Sequence, residues 1–220
     1  MDYKIMDLTH VLIPGEEQYT VEIKPRGKPR TTATGDIMHD LYLWSHSGTH
    51  VEVSRHFYAE GKTTADFAPD VFVGPCRLLD FREKKVNEAT TLDDLRAAGD
   101  IRVGDIVILW EGREHQYRTK DSHQRPYLAH DAAEWLIHDR KIKCLGTDSS
   151  GFAVRGVDNH PNHHLFFKDG VHVPVIECLR NLGAIERKRF FFSGAPIPCR
   201  GLDASPIRAM GFVGGAFELV

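Results

Sequence analysis

The chain is poor in cysteine: Cys76, Cys144, Cys178 and Cys199 are the only four in 220 residues. They lie far apart with no C-x-x-C pair. This excludes a disulfide framework and a cysteine zinc knuckle and leaves them as small buried hydrophobes. Long apolar runs are missing as well. No stretch approaches the roughly 18 to 20 apolar residues of a membrane helix, and the opening segment has no basic run followed by a long apolar one of the secretory kind. A cytoplasmic protein with no membrane association is expected. Nor does either sign of charge dominate. With 28 Lys and Arg against 31 Asp and Glu, the formal charge of -3 offers no footprint for nucleic acid or an anionic membrane. The nearest basic run, Arg187-Lys188-Arg189, reads as a solvated turn before a strand. Linkers, repeats and low-complexity segments are absent too, so residues 1–220 are read as a single domain.

What is present is β-rich punctuation with two legible helices. Strands are expected at 41–44, 71–73, 106–110, 143–145, 173–176, 189–192 and 207–213. Thr91 with Asp94 three residues on, Leu92 and Leu95 on one face, and Gly99 as terminator predict a short capped helix. Leu128, Ala132, Trp135 and Leu136 follow helical spacing and predict an amphipathic helix over 128–139. Strands mixed with few helices indicate an α/β or α+β domain around a mixed sheet. Several common signatures fail. Gly61-Lys62-Thr63 lacks the upstream glycine of a phosphate loop, neither Ser149 nor Ser193 sits in G-x-S-x-G, and no H-E-x-x-H occurs.

The one excess is histidine, with 13 in the chain, the commonest metal ligand and the side chain that titrates nearest neutrality. Eight fall in two windows: His39, His46, His50 and His56, then His160, His163, His164 and His172. Within His46-Ser47-Gly48-Thr49-His50-Val51-Glu52-Val53-Ser54-Arg55-His56, an extended chain from His50 places His50, Glu52 and Ser54 on one face. Gly48 permits a turn that returns His46 to the same point. Two imidazoles and a carboxylate converging there make a three-ligand site with an open position, suited to hydrolytic Zn2+ or Mn2+. The plainer reading is a strand edge with solvated histidines. In the second window, Glu177 ends an apolar strand and needs a partner, either a metal or a cation such as Arg180. Asp148 is read as a structural acceptor or helix cap. His115, His123, His130 and His138 are placed on a loop and an exposed helix, without chemical roles.

With these residues in view, the sequence resembles the metal-dependent cyclase-like hydrolases, which include bacterial kynurenine formamidase and isatin hydrolase. The matching elements are Asp7-Leu8-Thr9-His10, His46-Ser47-Gly48-Thr49-His50, Gly104-Asp105-Ile106-Val107-Ile108-Leu109, Leu145-Gly146-Thr147-Asp148-Ser149, Asn162-His163, Glu177-Cys178-Leu179 and Ser205-Pro206-Ile207-Arg208. The resemblance implies a swivelling β/β/α fold and hydrolysis of an aryl formamide or cyclic amide at a centre of one or two Zn2+ or Mn2+ ions. It further implies a homodimer or homotetramer acting on a small molecule. By position, His46, His50, Glu52, His163 (alternatively His164) and Glu177 would bind metal, and His56 would be the general acid/base. An aromatic near the N-terminus often meets the aryl group in this family; Tyr19 is the candidate, although it reads as a surface residue. The pattern H-x-G-T-H-x-D-x-P-x-H has Glu52 in place of Asp and Ser54 in place of Pro, and the stretch to Glu177 is two residues longer than expected. Ser54 is expected to present a hydroxyl to the site. The alternative function is a divergent metal-binding homologue without hydrolytic turnover.

Overall fold

The structure, a computed structural model, describes residues 2–26, 37–156 and 160–217. In chain order the strands begin with β1 (Lys4–Asp7), β2 (Val21–Pro25), β3 (His39–Leu43), β4 (His50–Glu52), β5 (Val73–Asp80) and β6 (Ala89–Thr90). Helix α1 (Leu92–Ala98), β7 (Ile106–Trp110), β8 (Tyr127–Leu128), α2 (His130–His138), β9 (Cys144–Thr147) and α3 (Pro161–Phe167) follow. The chain closes with β10 (Val175–Glu177), β11 (Arg189–Ser193), β12 (Ala204–Pro206) and β13 (Met210–Val213). Nine of these strands form one mixed sheet in the order β1-β13-β11-β5-β7-β9-β10-β4-β12.

Its place at the centre of the sheet explains why β7 is apolar at every position. Val107 and Leu109 of β7 face a core shared with Leu95 of α1, Leu136 of α2, and Phe166 and Phe167 of α3. Ile106 and Ile108 face the opposite way, into a core with Leu8, Phe72, Leu179 and Phe190. A strand covered on both faces loses the polar alternation of a half-exposed one. Among the described residues no helix is long and apolar enough to cross a membrane.

Helix α1 forms as its sequence predicts. Asp94 N donates to Thr91 Oγ1 at 3.2 Å, Thr91 N donates back to the Asp94 carboxylate at 2.8 Å, and Gly99 ends the helix at φ +83°. Elsewhere tertiary pairing moves the boundaries. Leu128 leaves the expected helix for a short parallel pairing with Thr90, and α2 starts at His130. Residues Pro69–Val71 form a 3-10 turn, so the strand expected at 71–73 begins only at Val73. Of the stretch 207–213 only Met210–Val213 is strand, β13; residues 207–209 link it to β12, and there the Arg208 guanidinium pairs with Asp7. Arg189 is not part of a solvated turn: it lies in β11 and makes a bidentate pair with Asp105 at 2.8 and 3.0 Å.

Leu136 is fully buried between α2 and the sheet. Leu136→Ala is expected to cost about 2–5 kcal/mol, read as a lower denaturant midpoint at unchanged slope. His138→Ala, on the exposed face of the same helix, should leave the midpoint where it is.

Candidate active site

The floor of the site is β4, a three-residue strand buried along its whole length between β10 and β12. Antiparallel register sets Glu177 opposite His50 on one side and Ala204 opposite Glu52 on the other. Gly48 enters the strand at φ +70°, the left-handed turn its sequence position called for. Thr49 clasps the strands together, its hydroxyl donating to the Cys178 carbonyl at 2.6 Å and accepting from His10 N at 2.9 Å.

Beyond Val53 the chain curls into a 3-10 turn over Ser54–His56. The alternation expected from His50 therefore stops before Ser54. Instead of facing the site, the Ser54 hydroxyl is buried and lies 2.8 Å from His172 Nδ1. The same turn brings His56 back over the floor, with its Nε2 3.8 Å from Glu52 Oε2.

All the other predicted ligands meet here. His163 Nε2 is 3.8 Å from Glu52 Oε1, and His50 Nε2 is 3.8 Å from Glu177 Oε2. Successive residues of a helix point about 100° apart, so only one of His163 and His164 can turn to the floor. His164 faces away, with Nδ1 2.8 Å from the Tyr58 hydroxyl. Glu177 forms no pair with Arg180. The donor atoms of Glu52, His163 and Glu177 all lie within 4.8 Å of one another, and beside them His46, His56 and Asp203 form a second such group.

Asp203 was not singled out in the sequence. It precedes β12, and its carbonyl accepts from Val53 N at 3.0 Å, which sets its carboxylate beside the histidines. The carboxylate lies 3.0 Å from His46 Nε2 and 3.1 Å from His56 Nδ1. Burial raises its pKa, but the bonds from His46, His56 and Ser45 outweigh that and hold it well below the carboxylate range. The available signal was a lone acid just ahead of Ser205-Pro206.

Proton bookkeeping shows what the floor lacks. His50 Nδ1 faces the Gly48 carbonyl at 2.9 Å, which can only accept, so Nδ1 carries the proton and Nε2 is bare. His46 Nε2 donates to ionised Asp203, leaving Nδ1 of a neutral His46 bare. These two bare nitrogens face each other across 3.1 Å, so a shared proton or a cation must accompany them. Burial, with a smaller contribution from His46, lowers the His50 pKa to about 3, and burial likewise lowers His163 to about 3. Burial, with Glu177 and Asp203 nearby, pushes Glu52 well up, and burial also raises Glu177. Glu52 Oε1 is buried without any hydrogen-bond partner. Neutral imidazoles beside carboxylates that burial discourages from ionising are a donor set fitted to a divalent cation.

Over the floor opens a cleft of about 720 Å3 whose walls include Tyr19, Trp44, Phe57, His123, Arg125 and Arg155. Tyr19, part-buried, lines this cleft and stacks on Trp44 at 5.6 Å between ring centroids. His123, expected to stand idle, is on the cleft wall, with Nδ1 3.2 Å from the Ser150 hydroxyl. His130 bonds Asn162 of α3 at 2.8 Å, and His115 and His138 are exposed.

Behind the floor, Asp148 takes the structural role expected of it, accepting from Glu111 N and Arg113 N at 2.7 and 2.8 Å. Glu111 is fully buried. Burial raises its pKa to about 8 against the opposing bonds from Ser149 and Thr147. Its folded pKa thus exceeds the unfolded one, so it stabilises fully only below about pH 4.5 and loses that contribution as pH rises through about 8. Glu111→Gln should therefore gain stability relative to the unaltered protein between pH 7 and 9. Melting temperatures across pH 5–9 test this, and a difference that does not grow with pH would refute it.

Residues 6–154 match the Cyclase family model, described as putative cyclase. The chain belongs to this family. A Bacillus cereus protein named kynurenine formamidase is 24% identical over 200 residues, covering 90% of this chain and 88% of its own. Among solved structures, an isatin hydrolase bound to the product analogue thioisatinate superposes with a TM-score of 0.82 at 20% identity, covering 97% of this chain and 94% of that one. A potential metal-dependent hydrolase with cyclase activity reaches 30% identity and a TM-score of 0.77, covering 96% and 98%. The cyclase-like mixed sheet implied by the sequence motifs is the observed fold.

Proposed function

We propose that the protein is a metal-dependent hydrolase cleaving the amide bond of an aryl formamide or a cyclic amide, a C–N bond outside peptides. The kynurenine formamidase relative and the isatin hydrolase of like fold support this reading. The observation that carries it is Glu52, a buried carboxylate with one oxygen lacking any donor and each oxygen 3.8 Å from an imidazole nitrogen. His46, His50, Glu52, His163 and Glu177 would hold Zn2+ or Mn2+, as one or two ions. When bound, the cation supplies Lewis acidity toward the amide carbonyl and brings the ionisation of water toward pH 7.

The chain's own residues orient the substrate and move the proton. Ionised Asp203 accepts from His56 Nδ1, which fixes the tautomer and leaves Nε2 turned toward Glu52. From there His56 accepts a proton and passes it to the leaving nitrogen. Tyr19, Trp44 and Phe57 give the aryl group apolar faces to stack on. Four free cysteines suit a cytoplasmic setting. Exposed Ile23, Leu41 and Tyr42 on the β2–β3 ribbon suit burial between copies in a homodimer or homotetramer.

Metal analysis after purification without chelator, followed by assays on N-formylkynurenine and isatin with Zn2+ and Mn2+ added back, tests the reading. Full metal loading with no turnover on either would support a metal-binding homologue instead. His56→Ala is expected to lower kcat by about 10²- to 10⁴-fold with metal content unchanged. Parallel loss of metal and activity would make His56 a ligand.

A further inference from the structure

One charged group in the cleft keeps donors that neither the fold nor the proposed reaction uses. Arg125 is only 8% exposed, yet it forms part of the cleft wall on the loop before β8. Nη1 donates to the His123 carbonyl at 3.3 Å and Nη2 to the Ala153 carbonyl at 3.2 Å, while Nε has no partner. Two of the five guanidinium donors are thus used, both on neutral oxygens. Among the described residues no carboxylate lies within ion-pair distance of it, and Glu177 and Glu111 act on it only through space. Gly151, at φ +122°, gives the guanidinium its place, since a Cβ there would come within 2.8 Å of Arg125 Cζ. A buried guanidinium stays charged at any physiological pH, and leaving it without a counterion is costly.

We infer that Arg125 is a carboxylate-binding subsite of the cleft and that the substrate is an aryl amide bearing a carboxylate. The amide in that statement rests on the proposed hydrolase reading; the carboxylate rests on Arg125 alone. A planar fork with unused donors matches a carboxylate. It also answers the electrostatics of the cleft: Glu52, Glu177 and Asp203 at the floor repel an anion, and a fixed cation on the wall draws it to one orientation. Arg155, exposed farther along the same wall, adds charge of the same sign.

Benzoate and benzamide, matched in shape and different in charge, provide the test, with binding to the metal-loaded protein measured by titration calorimetry. Benzoate is expected to bind at least about tenfold tighter than benzamide, and Arg125→Met should bring the two within about threefold. A benzoate preference that persists in R125M, or none in the unaltered protein, overturns the subsite. Arg125→Lys, which keeps the charge without the fork, should retain part of the preference and carries the comparison if R125M fails to fold. Hydrolysis is scored separately on 2-formamidobenzoate and formanilide. The kcat/KM ratio in favour of the anion should fall about tenfold or more in R125M, and an equal fall for both substrates overturns the subsite. No hydrolysis of either, with the benzoate preference intact, would sink the hydrolase reading and leave the subsite standing.

Discussion

The register of β4 against its two neighbours is the constraint on which the rest of the site depends. A three-residue strand inside a sheet has no freedom to slide, because a shift of one position would send every side chain to the opposite face. Val51 would leave the core for the cleft, and His50 and Glu52 would enter an apolar interior. That penalty holds His50 opposite Glu177 and Glu52 opposite Ala204. Neighbouring chain then follows: the turn at Gly48 returns His46, the 3-10 turn returns His56, and the approach to β12 delivers Asp203.

Such a floor is electrostatically unfinished. Carboxylates tolerate burial when cations or donors face them, and imidazoles when one nitrogen has a proton and the other an acceptor. Here Glu52 Oε1 has no donor, and His46 and His50 present bare nitrogens to each other. These deficits lie side by side and are of one kind, acceptors without a donor. Protons can satisfy only some of them at once, since a proton shared by the histidines does nothing for Glu52. One divalent cation faces the histidines and the carboxylates together.

How far the sequence revealed this varied with the range of the cause. Helix α1 and the strand Ile106–Trp110 were legible because cap chemistry and unbroken apolar runs act over a few residues. The histidine-rich segment was legible for the same reason, with turn, strand and candidate ligands contiguous. Helix α3 was not: Pro161 at its first position and Leu165, Phe166 and Phe167 were available signals, but His163, His164 and Asn162 dilute its apolar face. Asp203 and Arg125 were invisible because nothing local marks them. Asp203 meets His46 across 157 residues, and Arg125 becomes a wall residue only when its loop packs on Gly151. The cleft-wall positions of Tyr19 and His123 were hidden on the same ground, since only tertiary packing makes a cleft wall of surface loops.

The departures from the family pattern turn out to be physically linked. Two looked independent in the sequence: serine where the motif has proline, and a longer stretch between His163 and Glu177. The structure joins them. The turn after α3 carries His172 in a left-handed conformation at φ +52°, and its Nδ1 reaches the Ser54 hydroxyl. Proline at 54 would stiffen the approach to His56 through its fixed φ. Serine gives up that restraint, and the bond to His172 supplies another one from outside the segment. The third departure is accommodated by reach. Glutamate at 52 is one methylene longer than aspartate, and its oxygens extend to His163 on one side and His56 on the other. The side chain thereby reaches toward both candidate donor groups of the floor.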